Sequence, residues 1–224
     1  MSAAAPETLT KVKRWLKSFL PSRRTALPEK LEDLSFVVLD TETTGFNLDR
    51  DRILSIGVLR LEAGRIRASD GLEIFLQQER FNRNTVPIHG ILPGGETDRL
   101  PETEALRRLQ DYAGDAVLVG HHIAFDRDML QQALNRHNMG KLKNPLLDTE
   151  PLYRKTLLKS PLLRKKERYT LDDLARVYDI SCKDRHTALG DAYITAIAFL
   201  HILSQLSDAG ELRPQHLLKW GKPL

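Results

Sequence analysis

The sequence is poor in several features that would assign it to a specialised class of protein. Cys182 is the single cysteine among 224 residues, which excludes an internal disulfide and a zinc site built from several thiolates. No apolar run approaches the roughly 18 residues that a membrane span needs, and the N-terminus lacks the apolar core of a signal peptide. Aromatic residues make up only 6% of the chain, so extensive base stacking of the single-strand-binding type is not expected. These absences predict a reduced, cytoplasmic protein.

What the chain does contain is typical of one folded domain. Hydrophobic residues make up 41% and charged residues 29%, a composition found in globular rather than disordered proteins. A length of 224 residues is enough for one sizeable core. We predict a basic N-terminal extension over residues 1–30, a globular domain over 31–207 and a short C-terminal tail over 208–224.

The net charge of +4 is unevenly distributed along the chain. Residues 1–30 hold seven Lys or Arg against two Glu, and residues 154–168 hold seven against Glu167 alone. Such clusters can meet the phosphates of a polyanion, although a solvated tail and a solvated loop explain them equally well. Residues 11–20 have the pattern of a basic amphipathic helix, which could lie on a membrane surface, dock on a partner or fold back on the domain.

The apolar periodicity predicts an α/β layer fold. The predicted strands cover residues 35–40, 52–61, 65–77, 116–120 and 145–149. The predicted helices include residues 105–112, 125–134 and 187–206. Thr170 and Asp173 form a capping-box pattern that opens a further short helix. Three strands followed by alternating helices and strands are typical of a mixed sheet with helices packed on it.

Two acids stand at the end of the first predicted strand, in VVLDTETTGF at residues 37–46. Asp40 and Glu42 are two positions apart, so both side chains point to the same face of the strand. Two carboxylates that close repel each other and raise a pKa, unless something cationic lies between them. The cation could be a metal ion or an arginine, and sites commonly lie at such strand ends.

Two further acids and a histidine follow predicted elements. Asp126 comes after the strand AVLVG and the loop HHIAF, and Asp191 lies five residues after His186 near the start of the last long helix. Taken singly, each has a structural explanation, such as a helix cap or a core histidine. Four converging acids, however, need cations in a dry cleft, and Mg²⁺ or Mn²⁺ prefer such oxygen ligands. Two ions about 4 Å apart can assist a phosphodiester displacement, with His186 as general base.

Three motifs resemble those of the DnaQ-like 3′–5′ exonucleases, namely DTETTG at 40–45, HHIAFD at 121–126 and HTALGDA at 186–192. These enzymes are the branch of the DEDD superfamily with a histidine in its last motif (DEDDh), which includes the proofreading subunit of bacterial DNA polymerase III. PIHGI at 87–91 and LLDT at 146–149 are similar to further elements of the family. The resemblance spans residues 35 to about 203, and it implies a ribonuclease H-like fold with a five-stranded mixed sheet flanked by helices.

The resemblance also implies roles for these residues. The implied metal-binding and catalytic carboxylates are Asp40, Glu42, Asp126 and Asp191, which would hold two Mg²⁺ or Mn²⁺ ions per site. His186 would take the proton from the water that attacks the terminal phosphate and releases a nucleoside 5′-monophosphate. The residues implied to contact the terminal nucleotide are Thr41, Thr43, the Thr44–Gly45 backbone, His89 and Phe125. The implied partner is a nucleic acid 3′ end, of DNA rather than RNA.

Three features depart from the family's pattern. His122 stands where the second motif usually has Asn, and we interpret it as a variant in the loop or in a substrate contact. The loop ILPGGETDRLP at 91–101 differs from that of proofreading subunits. The end of the sequence, HLLKWGKPL, carries no convincing clamp-binding motif, so a stand-alone exonuclease or a subunit of another assembly is expected rather than the replicative proofreader.

Two alternative functions stay open at this point. The same chemistry could act on RNA ends, because the sequence does not reveal the contacts to the 2′-hydroxyl that distinguish RNA from DNA. A nucleic-acid-binding module could also have kept the fold without the chemistry, but retention of all five catalytic residues argues against it.

Overall fold

The structure is a computed structural model that describes residues 28–92, 97–157 and 166–223. The predicted amphipathic helix at 11–20 lies outside the described residues, as do the middle of the basic stretch 154–168 and four residues of the loop 91–101. The sequence analysis of those segments therefore remains a prediction.

A seven-stranded mixed sheet forms the centre of the fold. Its strands are β1 (Phe36–Thr43), β2 (Ile53–Glu62), β3 (Arg65–Ile66), β4 (Leu72–Leu76), β5 (Arg99–Leu100), β6 (Val117–Gly120) and β7 (Leu146–Asp148). The order is β5-β4-β2-β1-β6-β7, with β3 paired to β2. β1 is antiparallel to β2 and parallel to β6, and β6 is parallel to β7. The carboxyl ends of β1, β6 and β7 therefore meet at one edge of the sheet.

The mixed α/β sheet is confirmed, but the predicted count of five strands is wrong. The predicted third strand is interrupted by a 3₁₀ turn at Ala68–Asp70, which separates β3 from β4. β5 arises from a loop in which no strand was predicted. β3 and β5 have two residues each, too few to show the alternation by which a strand is recognised in a sequence.

Seven helices accompany the sheet among the described residues. They are α1 (Val86–His89), α2 (Glu102–Ala113), α3 (Ala124–Arg136), α4 (Thr149–Thr156), α5 (Leu171–Val177), α6 (Ala188–Asp208) and α7 (Pro214–Trp220). The predicted capping box is present at the start of α5, where the Thr170 side chain accepts the N–H of Asp173 and the Asp173 side chain accepts the N–H of Thr170. The Thr187 side chain caps α6 by accepting the N–H of Gly190.

The sheet separates two hydrophobic cores, because neighbouring residues of β1 face opposite sides. Phe36 and Val38 pack with α6, whereas Val37 and Leu39 pack with α2 and α3. The same alternation carries Asp40 and Glu42 to the α6 side and Thr41 to the α3 side. The strand thus delivers polar groups to both faces at its carboxyl end.

The long helix α6 lies across β1 and β2. By length and composition it is apolar enough to cross a membrane, although no membrane-spanning run was predicted from the sequence. In this fold it is a core helix, since Phe199 and Ile202 are fully buried and the ring of Phe199 packs edge-on against Phe36, with 5.3 Å between centroids. Its N-terminal turn reaches the carboxyl end of β1.

The segment predicted as a C-terminal tail packs on the body of the domain. Leu217 of α7 is completely buried in the same core as α6. The carbonyl of Gly221 accepts the backbone N–H of Asp148 at 2.7 Å. These contacts attach the segment to the end of β7.

Candidate active site

Three carboxylates converge at the carboxyl end of β1. Asp40 and Glu42 come from one face of the strand, and Asp191 comes from the first turn of α6. One ligand oxygen from each of the three lies within 4.8 Å of the others. The structure therefore brings together three acids that are separated by as many as 151 positions in the chain.

Gly57 of β2 allows α6 to come this close. It lies opposite Asp40 in the β1–β2 ladder, and a Cβ atom at this position would lie 2.1 Å from the carbonyl carbon of Ala188. Any larger residue would push the start of α6, and Asp191 with it, away from the sheet. This role was not predicted, although a glycine inside the apolar strand RILSIGVLRL is a signal of close backbone approach.

The electrostatics of this cluster are unfavourable without a cation. Burial raises the pKa of Asp40 well above its usual range, and the charges of Asp126, Asp191 and Glu42 add to the effect. Burial, followed by the charges of Asp191 and Asp126, raises the pKa of Glu42 to about 8. A buried set of oxygen donors that repel one another is the environment that Mg²⁺ or Mn²⁺ relieves. The residues present therefore fit a divalent metal site.

Asp126 stands beside this triad, on the other side of β1. It is buried at the start of α3, and its Oδ1 accepts a hydrogen bond from the Thr41 hydroxyl at 2.6 Å. Burial raises the pKa of Asp126 to about 7, although the Thr41 hydrogen bond opposes the shift. All four predicted acids line one cleft of about 420 Å³.

Arg185 is a cation in this region that the sequence analysis did not single out. Its Nη1 donates to Asp191, and its Nε donates to Asp172 of α5 at 2.7 Å. The arginine lowers the pKa values of Asp40, Glu42 and Asp191. Burial nevertheless keeps the pKa of Asp191 raised, so the arginine compensates the cluster only in part. The one available signal was its place directly before the last motif.

His186 lies exposed at the mouth of the cleft. Its backbone has a left-handed conformation, with φ of 65°, and its N–H donates to Asp191 Oδ1 at 3.3 Å. Non-glycine residues with such a φ are uncommon and concentrate at functional sites. The loop thus holds an imidazole next to the metal-ligand candidates.

Most of the predicted nucleotide contacts line the cleft, namely Thr41, Thr43, Gly45, His89 and Phe125. Thr44 does not. Its N–H donates to the carbonyl of Arg52, its hydroxyl donates to Asp51, and its carbonyl accepts from the Asn82 side chain. Thr44 therefore holds the turn after β1 together, while its neighbours face the cleft.

His89 uses both ring nitrogens inside the protein. Its Nδ1 accepts the N–H of Ile91 at 3.0 Å, and its Nε2 lies 3.0 Å from the Thr85 hydroxyl. Since Nδ1 is an acceptor, the proton of the neutral ring is on Nε2. Burial lowers the pKa of His89, which agrees with a neutral residue that stabilises this loop at the cleft wall.

The two histidines of the second motif have different surroundings. The His121 ring lies between the Thr149 hydroxyl and the Tyr169 carbonyl, and burial lowers its pKa to about 4. His122 has a left-handed φ of 57°, a conformation in which both Asn and His are enriched. This backbone requirement explains why the family's usual Asn can be replaced by His. The His122 ring lines the cleft and lies 2.8 Å from Glu150 Oε2.

One lip of the cleft is apolar. The rings of Phe46 and Phe125 lie 5.5 Å apart, and Phe46 is 84% exposed. Ile88, which is half exposed, lines the same cleft. Phe46 and Ile88 were not predicted, although Phe46 directly follows the glycine turn of the first motif. Exposed apolar surface of this kind suits the face of a nucleobase.

This mixed sheet, with its acidic cleft at the carboxyl end of β1, has the ribonuclease H-like fold. The family model of the RNase T-type exonucleases matches residues 37–199. The chain therefore belongs to this family of DnaQ-like exonucleases, as the three motifs indicated.

Two curated relatives are named after subunit epsilon of DNA polymerase III. The chain is 35% identical over 185 residues to a DNA polymerase III subunit epsilon-like protein of Rhodobacter capsulatus, covering 80% of this chain and 25% of that protein. It is 29% identical over 181 residues to DNA polymerase III subunit epsilon of Aquifex aeolicus, covering 80% and 85%. It thus spans a quarter of the first relative and most of the second.

Solved structures confirm the predicted ribonuclease H-like fold. Exonuclease I of E. coli, solved with a dT13 oligonucleotide, aligns with a TM-score of 0.66 at 16% identity, covering 79% of this chain and 42% of that chain. Exonuclease X, solved with a 5′-overhanging duplex DNA, aligns with a TM-score of 0.63 at 19% identity, covering 83% and 99%. At these identities the likeness concerns the fold.

Proposed function

We propose that the protein removes nucleoside 5′-monophosphates from the 3′ ends of DNA by two-metal hydrolysis. The observation that carries this proposal is the convergence of Asp40, Glu42 and Asp191 in one cleft, with Asp126 beside them. DNA is favoured over RNA because the relatives are named as DNA polymerase subunits and two structural neighbours were solved with DNA.

The carboxylates divide between two cations in this proposal. Asp40, Glu42 and Asp191 would hold one divalent ion, and Asp40 with Asp126 would hold the second. When bound, the ions supply an activated water and neutralise charge on the phosphate. Thr41 orients Asp126 for this task through the 2.6 Å hydrogen bond.

The remaining cleft residues orient the nucleotide and move the proton. His186, exposed at the cleft mouth, would accept a proton from the attacking water. Phe46 and Phe125 offer apolar faces to the terminal base. The polar part of the cleft lining, which includes His122 and Arg168, is suited to the phosphates of the preceding nucleotides.

The test is digestion of 3′- and 5′-labelled oligonucleotides by the purified protein. DNA and RNA, single and double stranded, are incubated with Mg²⁺, with Mn²⁺ and with EDTA. We expect DNA to shorten stepwise from the 3′ end with either metal. No shortening is expected in EDTA or with an Asp40→Ala variant.

A Glu104→Ala variant is the matched control, because it removes a carboxylate of α2 that pairs with Arg108 on the surface. If RNA were shortened faster than DNA, the preferred substrate would be RNA and not DNA. Retained nucleic acid binding without shortening of any polymer would overturn the enzymatic proposal.

A further inference from the structure

A second pocket, of about 490 Å³, lies between α4 and α7, outside the catalytic cleft. It is lined by Pro151, Lys155, Lys219, Trp220, Lys222 and Pro223. All three lysines are exposed. Within the described residues the lysine ion pairs are Lys30–Glu32 and Lys166–Asp173, so none of them neutralises this pocket. Three lysines and one indole ring therefore line the same pocket.

The pocket is built on anchored elements. The Nζ of Lys155 lies 6.0 Å from the centroid of the Trp220 ring, a distance at which a cation–π interaction holds an ammonium group. Leu217 is completely buried, and a Cβ atom at Gly221 would lie 2.7 Å from the Leu147 side chain. The wall that carries Trp220 and Lys222 is therefore packed closely on the core.

Asp148 joins this pocket to the catalytic cleft. Its carboxylate accepts the N–H of His122 at 3.1 Å and of Glu150 at 3.0 Å. Its own N–H donates to the carbonyl of Gly221 at 2.7 Å. One residue thus fixes a cleft loop, the start of α4 and the pocket wall relative to one another.

Helix α4 runs from the cleft towards the pocket. Glu150, in its first turn, contacts the cleft residue His122, and Lys155 follows five residues later, about 7.5 Å along the axis at the usual helical rise. Of the three pocket lysines, Lys155 is therefore the one carried by the helix that begins at the cleft. Lysines present mobile point charges rather than a rigid fork, which suits a repeating phosphate backbone better than one shaped ligand.

We propose that this lysine pocket binds the phosphate backbone of the nucleic acid strand whose 3′ end occupies the catalytic cleft. The proposal rests on the proposed function, because it requires a nucleic acid substrate. It extends the substrate path beyond the cleft, so that strands long enough to reach the pocket bind more tightly than short ones.

The test compares binding of two single-stranded DNA lengths over a salt series. The combined variant Lys155→Gln/Lys219→Gln/Lys222→Gln is made in the Asp40→Ala background, so that DNA is bound without turnover. Lengths of about 4 and about 16 nucleotides bracket common single-strand site sizes. For the long strand we expect weaker binding and a slope of log K against log salt reduced by about 2, since each neutralised phosphate contributes roughly 0.7. The short strand is expected to bind as before.

The matched control, Lys30→Gln/Lys141→Gln/Lys143→Gln, removes the same net charge from exposed positions elsewhere and should leave the slope for the long strand unchanged. Trp220 supplies a second measurement, because Trp15 is the only other tryptophan. In a Trp15→Phe protein, the long strand is expected to change the indole fluorescence and the short strand is not.

The proposal that the pocket binds DNA would be wrong if the pocket variant left the slope for the long strand unchanged, or if both lysine variants reduced it equally. Neither result would contradict the proposed exonuclease activity. If the pocket variant lost binding to polyglutamate but bound DNA as before, the ligand of the pocket would be an acidic protein instead. Failure of the Asp40→Ala protein itself to bind either strand would count against the proposed function.

Discussion

Glu42 and Glu150 are both carboxylates at the edge of the sheet where β1 and β7 end, but their surroundings differ. Glu150 is 2% exposed and lies 2.8 Å from the His122 ring, accepts Arg154 at 2.7 Å, and accepts the N–H of Tyr169 at 3.1 Å. Burial raises the pKa of Glu150, yet these hydrogen bonds, led by that of Arg154, bring it below its usual value. Glu42 has acids as its neighbours, and its pKa is raised to about 8.

The difference separates a structural carboxylate from a ligand-binding one. Glu150 carries its compensating charges within the fold, so it stabilises the chain without an external partner. Glu42 and Asp40 lack that compensation, and among the described residues Arg185 is the charge that lowers their pKa values. Uncompensated carboxylates in a cleft are a property of sites that bind cations or exchange protons.

The largest effect is expected from Glu42→Gln compared with Glu150→Gln. Loss of a metal ligand removes about 4 kcal/mol of transition-state stabilisation, so Glu42→Gln should lower kcat roughly 10³-fold. Glu150→Gln leaves Arg154 without its ion-pair partner, and we expect a loss of about 2 kcal/mol in the free energy of unfolding, or roughly 4–8 °C in Tm. Exonuclease assays and thermal unfolding measure both.

The metal-free Tm should change in opposite directions in these two variants. At neutral pH Glu42→Gln removes a carboxyl group that must take up a proton on folding and should raise the Tm, whereas Glu150→Gln should lower it. A Glu150→Gln protein with a normal Tm but no activity would contradict the division between the two carboxylates.

The next largest effect is expected from Gly57→Ala. The added methyl group meets the backbone of Ala188 and displaces Asp191 from Asp40, and a misplacement of about 1 Å can cost 10²-fold in rate. The increase in Tm caused by Mg²⁺ should shrink as well. Gly71→Ala is the control, because its Cβ meets chiefly the movable end of the Leu59 side chain. Equal kcat values for both variants would show that α6 tolerates displacement.

The smallest effect is expected in the pH dependence of stability without metal. The pKa of Glu42 is raised from 4.5 to about 8 on folding, so the folded protein holds this proton more tightly than the unfolded chain. The stability from this group is complete below about pH 4.5 and is lost as the pH rises towards 8. Thermal unfolding between pH 5 and 8 should show a falling Tm in EDTA and a smaller fall in Mg²⁺, which replaces the proton. A fall of the same size with and without Mg²⁺ would contradict metal binding at Glu42.

Much of the fold and of the site could be predicted because its signals are local. The DxE spacing at Asp40 and Glu42 follows from the period of a strand, and the Thr170–Asp173 capping box follows from helix geometry. The family resemblance extended these signals to Asp126, His186 and Asp191. The two-residue strand β5 was missed because its pairing with β4 joins residues more than 20 positions apart, and the turn that separates β3 from β4 was missed inside the predicted strand 65–77.

The sequence by itself determined the order of the main elements, the acidic motifs and the membership of the exonuclease family, because periodicity and short motifs depend on residues close together in the chain. Only the tertiary structure decided that Gly57 lets α6 approach the sheet, that Arg185 joins Asp191 to Asp172, and that the backbone N–H of Tyr169 donates to Glu150. It also decided that Lys155 and Trp220 form one pocket. These are contacts between elements, and their distances are set by the way the helices pack on the sheet.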